Sequence, residues 1–403
     1  MTGAAQALPR LTAAKAVANT ALRWVPPFLP TLERAFGAST TQLTTILGAS
    51  EVAGLSTVAI GRHLDRGRER LIITVGLAAI AVASFVALVG TTFTFAIGTV
   101  LIVFGVANCT VAGHAFIASR VPYAQRARSI GLFETSWAFS LLLGAPLIAV
   151  LISLFGWRAP YVMLAAAATV LAAVIARSAV LTVPPLAPVG PSTRADSVTV
   201  VAGPAATSGA PRGMFRSVNL AAWLTIIGSA FVAMAGLSVF AISGSWLDDA
   251  FGVSTGGLGL VAMGFGAVEL LSSVSSAAFA DRIGKLRGTV AAIVLLIVGL
   301  GVMAAADATL WIGVVGILAF LMGFEFAIVT SFSLVSEAMP EARGTTLGIS
   351  NGVGTLARGT GTIVGGWLYG IHGVEGTITL SATAAVLSAI AFAWGRSVRP
   401  AIA

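Results

Sequence analysis

Apolar residues in this chain do not alternate with polar ones at the short periods of soluble helices or strands; they run on. A helix that crosses a bilayer needs about 20 mostly apolar residues. Twelve such runs can be marked, at 12–32, 41–61, 71–90, 94–118, 129–153 and 160–179, then 218–246, 255–279, 289–306, 310–336, 344–369 and 377–395. Between the sixth and seventh, from Leu181 to Arg216, the chain is rich in Pro, Ala, Ser and Thr and has no helical period, the mark of a flexible linker. The pattern predicts an all-α membrane protein in three parts. Residues 1–180 form one six-helix bundle, 181–216 a linker and 217–403 a second six-helix bundle.

Two charged stretches interrupt the apolar runs at matching places. The first is Gly61-Arg62-His63-Leu64-Asp65-Arg66-Gly67-Arg68-Glu69-Arg70, between runs two and three. The second, around Asp281-Arg282-Ile283-Gly284-Lys285-Leu286-Arg287, lies between runs eight and nine. The two halves repeat elsewhere too. Leu32-Glu33-Arg34-Ala35-Phe36-Gly37-Ala38-Ser39-Thr40 matches Leu247-Asp248-Asp249-Ala250-Phe251-Gly252-Val253-Ser254-Thr255 at an offset of 215, and Gly131 falls on Gly348 at 217. Six-helix halves repeated in the same orientation imply a pseudo-twofold axis along the membrane normal.

Composition changes the picture in one respect. With 57% hydrophobic and 9% charged residues and a mean hydropathy of +0.97, the chain cannot clothe a soluble surface, since soluble domains carry about a quarter charged residues. The net charge of +8 could suggest nucleic acid, but the charges sit in short loops. Of the 23 Lys and Arg, 18 fall on the side that holds both termini and the linker, while the other loops keep only Arg34 and Arg158. By the positive-inside rule that side is cytoplasmic, and its cations face anionic lipid headgroups rather than nucleic acid. The first run carries Lys15, Asn19 and Arg23 and ends in Pro26-Pro27-Phe28-Leu29-Pro30, a poor signal peptide and so a retained first helix. The single cysteine, Cys109, leaves no disulfide framework and no cysteine metal site.

These features resemble the major facilitator superfamily of transporters. Its loop signature, Gly-x-x-x-Asp-Arg-x-Gly-Arg-Arg/Lys, is met by Gly61, Asp65, Arg66, Arg68 and Arg70 with one residue fewer between Arg66 and Arg68. The second half has Asp281, Arg282, Gly284 and Lys285, with Ala277 in place of the leading Gly. Phe36-Gly37-x-Ser39 and Gly156-Trp157-Arg158 also match. Leu101 stands where the family often has an Arg in helix 4, and the antiporter motif of helix 5 is partial, as Gly144-Ala145-Pro146. The resemblance implies that helices 1, 4, 7 and 10 line a central cavity, flanked by 2, 5, 8 and 11, with 3, 6, 9 and 12 toward lipid. It also implies that Asp65 latches onto the start of helix 11, near Gly344, where exposed N–H groups favour an anion. Gly61, Asp65, Arg66, Arg68, Arg70, Asp281, Arg282 and Lys285 are thus expected to gate.

Ionisable residues inside a membrane are costly and tend to face a cavity. Those within the predicted helices are Lys15, Arg23, Glu51, His114, Glu134, Glu269, Glu325 and Arg358; helices 3, 6, 9 and 12 have none. That distribution agrees with the implied partition. Glu51, Glu325 and Glu134 are the expected proton-coupling carboxylates. Arg23 and Arg358 are read either as ligands for an acidic part of the substrate or as partners in structural ion pairs. Asn19, Trp24, Phe28, Trp137, Trp246 and Asn351, the last the repeat equivalent of Glu134, complete the expected substrate site, the aromatics by burial and cation–π contact. Glu269 ranks last among the carboxylates, and His114 is read as a satisfied polar residue rather than a proton shuttle.

There is no P-loop, no helix-borne His-Glu pair and no Gly-x-Ser-x-Gly elbow, so ATP hydrolysis and enzyme catalysis are not indicated. The expectation is a monomeric secondary transporter, without cofactor, in a bacterial cytoplasmic membrane, with protons, lipids and a small molecule as its partners. Proton-coupled export of a small organic compound or drug leads. Proton-coupled uptake of an organic anion or nutrient, and a transport-inactive receptor or sensor, stand beside it.

Overall fold

The computed structural model describes residues 3–182, 218–307, 309–339 and 342–398. They form helices numbered here by membrane crossing. The first half has α1 (Gly3–Arg23, continued by the short helix Leu29–Phe36), α2 (Thr40–Asp65), α3 (Glu69–Ala87), α4 (Thr92–Arg120), α5 (Tyr123–Leu142 and Gly144–Phe155) and α6 (Arg158–Ala176). The second has α7 (Leu220–Phe251), α8 (Thr255–Ile283), α9 (Lys285–Ala304) and α10 (Leu310–Ala338). A helical stretch, Arg343–Ser397, folds back at Gly373, whose φ of +62° only glycine tolerates cheaply, into α11 (343–372) and α12 (374–397).

Ten stretches are long and apolar enough to cross a membrane, the last of which holds both α11 and α12. α1 is less apolar than these, because Gln6, Arg10, Lys15, Asn19 and Arg23 fall within it. Among the described residues this gives twelve crossings and places both chain ends on one face, called here the terminal face; the other is the distal face. The architecture is that of an all-α membrane protein of two six-helix bundles, as the sequence pattern predicts.

Several boundaries differ from the sequence reading. α1 begins at Gly3 rather than at 12, and α7 runs to Phe251 rather than to 246. Helix continues through 370–376, where a loop was expected, broken only at Gly373. The linker lies outside the described residues apart from its start, which ends the 3₁₀ turn Ala179–Thr182.

The sequence repeat is also a backbone repeat. Gly37 and Gly252 both end a helix in the left-handed conformation, at φ +61° and +62°. Ser39 and Ser254 then cap the next helix, accepting from the Gln42 and Gly257 amides. A second repeat involves charge. Glu69, at the start of α3, pairs with Arg120 at the end of α4, 2.8 Å apart and buried. At the matching place Lys285, at the start of α9, pairs with Glu337 near the end of α10. The geometry recurs with the signs exchanged.

The distal and terminal sides differ in packing. On the distal side one apolar core spans both halves, from Trp24, Phe28 and Leu43 to Trp246, Phe265 and Phe320. On the terminal side it divides. One cluster, around Leu11, Leu77, Phe116 and Phe133, belongs to the first half; another, around Ile226, Val335 and Ile349, belongs to the second. Close approaches across the seam follow suit. A side chain at Gly48 would strike the Gly359 carbonyl, and one at Gly266 the backbone of Leu142, whereas Gly131, Gly348 and Gly352 face open space. The structure is closed distally and open at the terminal face.

The exchanged signs predict a rescue. Glu69→Lys or Arg120→Glu alone leaves a buried like-charged pair and should cost on the order of 3–5 kcal/mol. The double exchange, which copies the polarity of the second half, should recover more than half of the lost thermal stability in detergent. A double variant no more stable than the singles would refute the equivalence.

Candidate functional site

On α1, Lys15, Asn19 and Arg23 are spaced by four and so share one face. That face meets α5. Lys15 Nζ lies 2.6 Å from Glu134 Oε2. Asn19 Nδ2 donates to Ser136 Oγ at 3.3 Å. Arg23 Nη1 donates to the Trp137 carbonyl at 2.7 Å and to Ser140 Oγ at 3.2 Å. The Arg23 guanidinium also stacks 4.0 Å from the Trp137 ring centroid.

Arg23 then reaches into the other half. Its two terminal nitrogens grip both oxygens of Glu269 on α8, one at 2.8 Å. Arg23 is 4% exposed and Glu269 1%, so the pair is sealed in the middle of the protein. Glu325 of α10, 7% exposed, is close enough to Glu269 and Arg23 to feel both charges, and lies near Trp137. The cluster is thus two carboxylates around one guanidinium. One positive charge balances one carboxylate; the second is neutral only with a proton on it.

A second ion pair crosses the other seam. Arg358 Nε on α11 lies 3.0 Å from Glu51 Oε2, and Arg358 Nη2 donates to Thr355 Oγ1 at 3.0 Å. Glu51 opens a 3₁₀ stretch, Glu51–Ser56, in the middle of α2, where a change of helical pitch often marks a hinge. This pair is half-exposed. A third cluster stays within the first half: Glu134 holds Lys15 with one oxygen and His114 Nε2 of α4 with the other, each at 2.6 Å.

The structure therefore brings Arg23 together with Trp137, Glu325 and Glu269, and Arg358 with Glu51. Asn19 lies one turn from both Lys15 and Arg23. Asn351 is exposed on α11. Trp24, Phe28 and Trp246 are buried in the distal core. Trp24 packs on Tyr161 at 5.1 Å and Phe28 at 6.3 Å, and Trp246 on Phe251 at 5.4 Å. The expected latch contact is not made in this conformation. Asp65 is exposed at the end of α2 with no hydrogen bond or ion pair among the described residues, and Arg66, Arg70 and Arg282 are exposed or half-exposed at the open face. Arg68 lies 3.4 Å from His63. Gly61 is buried, Lys285 pairs with Glu337, and the side chain of Asp281 lies outside the described residues.

Sequence reasoning ranked Glu269 last, yet it holds the most buried ion pair between the halves. No carboxylate of α2 matches it across the repeat; its partner sits on α1. Lys15 carries no expected role in the sequence. The signal that was available is the spacing Lys15-x-x-x-Asn19-x-x-x-Arg23, a polar face on an otherwise apolar helix.

At the distal face a further polar layer joins the halves. Arg34 pairs with Asp248, Ser245 Oγ donates to Glu33 Oε1 at 2.7 Å, and Thr41 donates to the Gly366 carbonyl at 3.1 Å. Tyr369 donates to Asp249 at 2.7 Å. Burial pushes the Glu33 carboxyl above its ordinary range and nearby Asp249 adds to this, against the opposing pull of Ser245, Thr40 and Arg34. The raised value belongs to the closed form, so a proton binds more tightly there. Through Glu33, lowering the pH should favour distal closure, and that contribution should disappear as the pH rises through the raised Glu33 value. Labels at Phe93 and Trp311, exposed at the distal ends of α4 and α10, should report it as the difference between wild type and Glu33→Gln, with the wild type the more closed of the two at low pH. Identical pH responses in the two would assign the effect elsewhere.

A family model described as the Major Facilitator Superfamily matches residues 11–362 and 226–402. No curated protein matches the sequence. Solved structures do match in fold. A bacterial homolog of the human lysosomal transporter Spinster, inward-facing and unoccupied, has a TM-score of 0.73 at 16% identity over 98% of this chain and 96% of its own. Its occupied form gives 0.72 at 17%. A D-xylose-proton symporter gives 0.75 at 15%, over 98% and 97%.

Proposed function

The chain belongs to the Major Facilitator Superfamily, a family of membrane transporters and not of enzymes, and from that premise we propose that it couples proton movement to export of a small organic compound. The observation that carries this reading is the sealed cluster of Arg23, Glu269 and Glu325. Arg23 belongs to one half and both carboxylates to the other, so the pair must part if the distal side is to open. Separating a buried ion pair leaves two unpaired charges at a cost of several kcal/mol. A proton on Glu269 removes the charge from the contact and lowers that cost. Proton binding and distal opening are then one linked equilibrium, and a substrate shifts it only by binding one form more tightly than the other.

The mid-membrane position of the cluster supports alternating access, with one half rocking on the other. The break of α5 at Leu143, beside Gly144-Ala145-Pro146, supports export. The charge asymmetry supports the terminal face as cytoplasmic and the chain as a bacterial inner-membrane protein. In that orientation the described conformation is inward-open, with Asp65 released from α11 until the terminal face closes. Uptake of an organic anion is the second reading, favoured by Arg358, half-exposed and held by a single carboxylate.

Reconstitution into liposomes with an internal pH dye tests the proposal. Ethidium, benzoate and xylose stand for organic cations, organic anions and sugars. One class should drive proton flux in the wild type. Glu269→Gln should lower that flux by roughly tenfold or more, the factor that ~1.4 kcal/mol on a coupling step implies. Substrate movement indifferent to the pH gradient would sink the coupling.

A further inference from the structure

The cycle above uses Arg23, Glu269 and Glu325 and leaves a second set of titratable groups idle. Lys15 is 2% exposed, yet its partner Glu134 has 44% of its side chain open. Glu134 lies toward the terminal face, on the wall that parts from the second half. Its carboxylate faces Lys15 from α1 and His114 from α4; α8, also packed on α5, brings Glu269 at the level of Arg23. A half-open carboxylate that touches both an ammonium and an imidazole is joined to solvent on one side and to the protein interior on the other.

Between this cluster and Arg23 lies Asn19. It is fully buried, its amide nitrogen donates to Ser136, and its Oδ1 has no partner among the described residues. An orphaned buried acceptor costs on the order of 1–3 kcal/mol, a cost that a bound water relieves. Lys15, Asn19 and Arg23 climb one face of α1. The eight residue steps from Lys15 to Arg23 rise about 12 Å at 1.5 Å each. A polar track thus runs from the open Glu134 to the sealed Glu269, through a bilayer-spanning bundle in which polar groups are otherwise scarce.

We propose that His114, Glu134 and Lys15 form a proton-access port, and that Asn19, with water held at its Oδ1, relays protons from that port to Glu269 and Glu325. A hydronium in the cavity gives up a proton, its O–H bond breaking to leave water as an O–H bond forms on Glu134. The proton then passes along the track to Glu269, Glu134 is left as the carboxylate it began as, and the relay water at Asn19 gains one proton and loses one, so nothing but the proton moves. His114 and Lys15 hold the Glu134 carboxylate in place by their two contacts. The port rests on the proton-coupled reading, but it differs in one respect. A coupling site sets where the equilibrium lies; a conduit sets only how fast it is reached.

The test needs no substrate, because the proton is the ligand. Labels on Phe93→Cys and Trp311→Cys report the distal distance in the full chain, in a Glu33→Gln background that silences the distal carboxylate. A pH jump across the carboxylate and imidazole range should move this distance to a new endpoint, and Glu269→Gln should abolish the move. Glu134→Gln and Asn19→Leu should reach the same endpoint as the background, but more slowly by roughly tenfold or more, within the range of general acid–base relays. Asn19→Leu leaves the ion cluster whole, so it stays informative if Glu134→Gln fails to fold. A shifted endpoint in either variant would make the residue part of the coupling site and overturn the port. Unchanged rates in both would leave the cluster structural. A background that ignores pH would overturn the coupling and the port with it, an outcome distinct from a responsive background whose variants relax at its own rate.

Discussion

The ion pair between Arg23 and Glu269 is the constraint around which the rest of this structure is arranged. Two charges removed from water cost several kcal/mol each after relaxation, and their attraction repays this only with good geometry and further hydrogen bonds. Both conditions are met. The grip is bidentate, the guanidinium stacks on Trp137, and the Trp137 carbonyl and Ser140 hydroxyl take remaining donor capacity. The N–H groups come from the first half and the carboxylate from the second. The distal seam is therefore fastened at its inner edge by charge, and above it by apolar packing and the polar layer of Glu33, Arg34, Ser245 and Asp248.

The two halves share a backbone plan but not its mechanics. In the first half, α1 breaks between Arg23 and Leu29 at Pro26-Pro27, α2 changes to 3₁₀ pitch at Glu51, and α5 breaks at Leu143. Among the described residues of the second half, α7, α8 and α10 run unbroken. Irregular backbone at membrane depth persists only where protein or a cavity covers it, and each break lies beside a polar side chain of the site: Arg23, Glu51 or Ser140. The Pro26 and Pro27 carbonyls at the first break lie against Gly244 of α7, so even the interruption is packed across the seam. The first half carries the joints and the second offers straight surfaces for them to move against.

Much of this was legible in the sequence, and the limit has a physical cause. Span, repeat and the split between polar and apolar helices are properties of a run of residues, and the chain itself displays them. The match of Gly37 with Gly252, and of Ser39 with Ser254, could be read and then seen as the same cap. Which charge meets which is a property of packing. Arg23 and Glu269 are 246 residues apart, and no spacing relates them. Glu51 lies two residues from the position on α2 that the repeat matches to Glu269 of α8, and it pairs with α11 where Glu269 pairs with α1. The contact expected of Asp65 is absent here for another reason: a contact belongs to one conformation, and a sequence specifies every conformation at once.

Symmetry of fold with asymmetry of charge bears on how such a machine can be driven. The Glu69–Arg120 and Lys285–Glu337 pairs show that a structural contact survives exchange of its signs, because only the pairing matters. The central cluster has no such freedom. Arg23, Glu269 and Glu325 have Ser or Val, Ala, and Asn at the repeat-related positions near 238–239, 53 and 108, so the second copy of the site carries no charge at all. A device symmetric in both shape and charge would respond to a proton equally from either seam and gain no direction from it. Here the titratable groups gather on the seam of α1, α5 and α8, while the opposite seam holds one half-exposed pair. On the proposed reading, the rocking motion belongs to the repeated fold, and its coupling to an ion belongs to the few positions where the repeat has been broken.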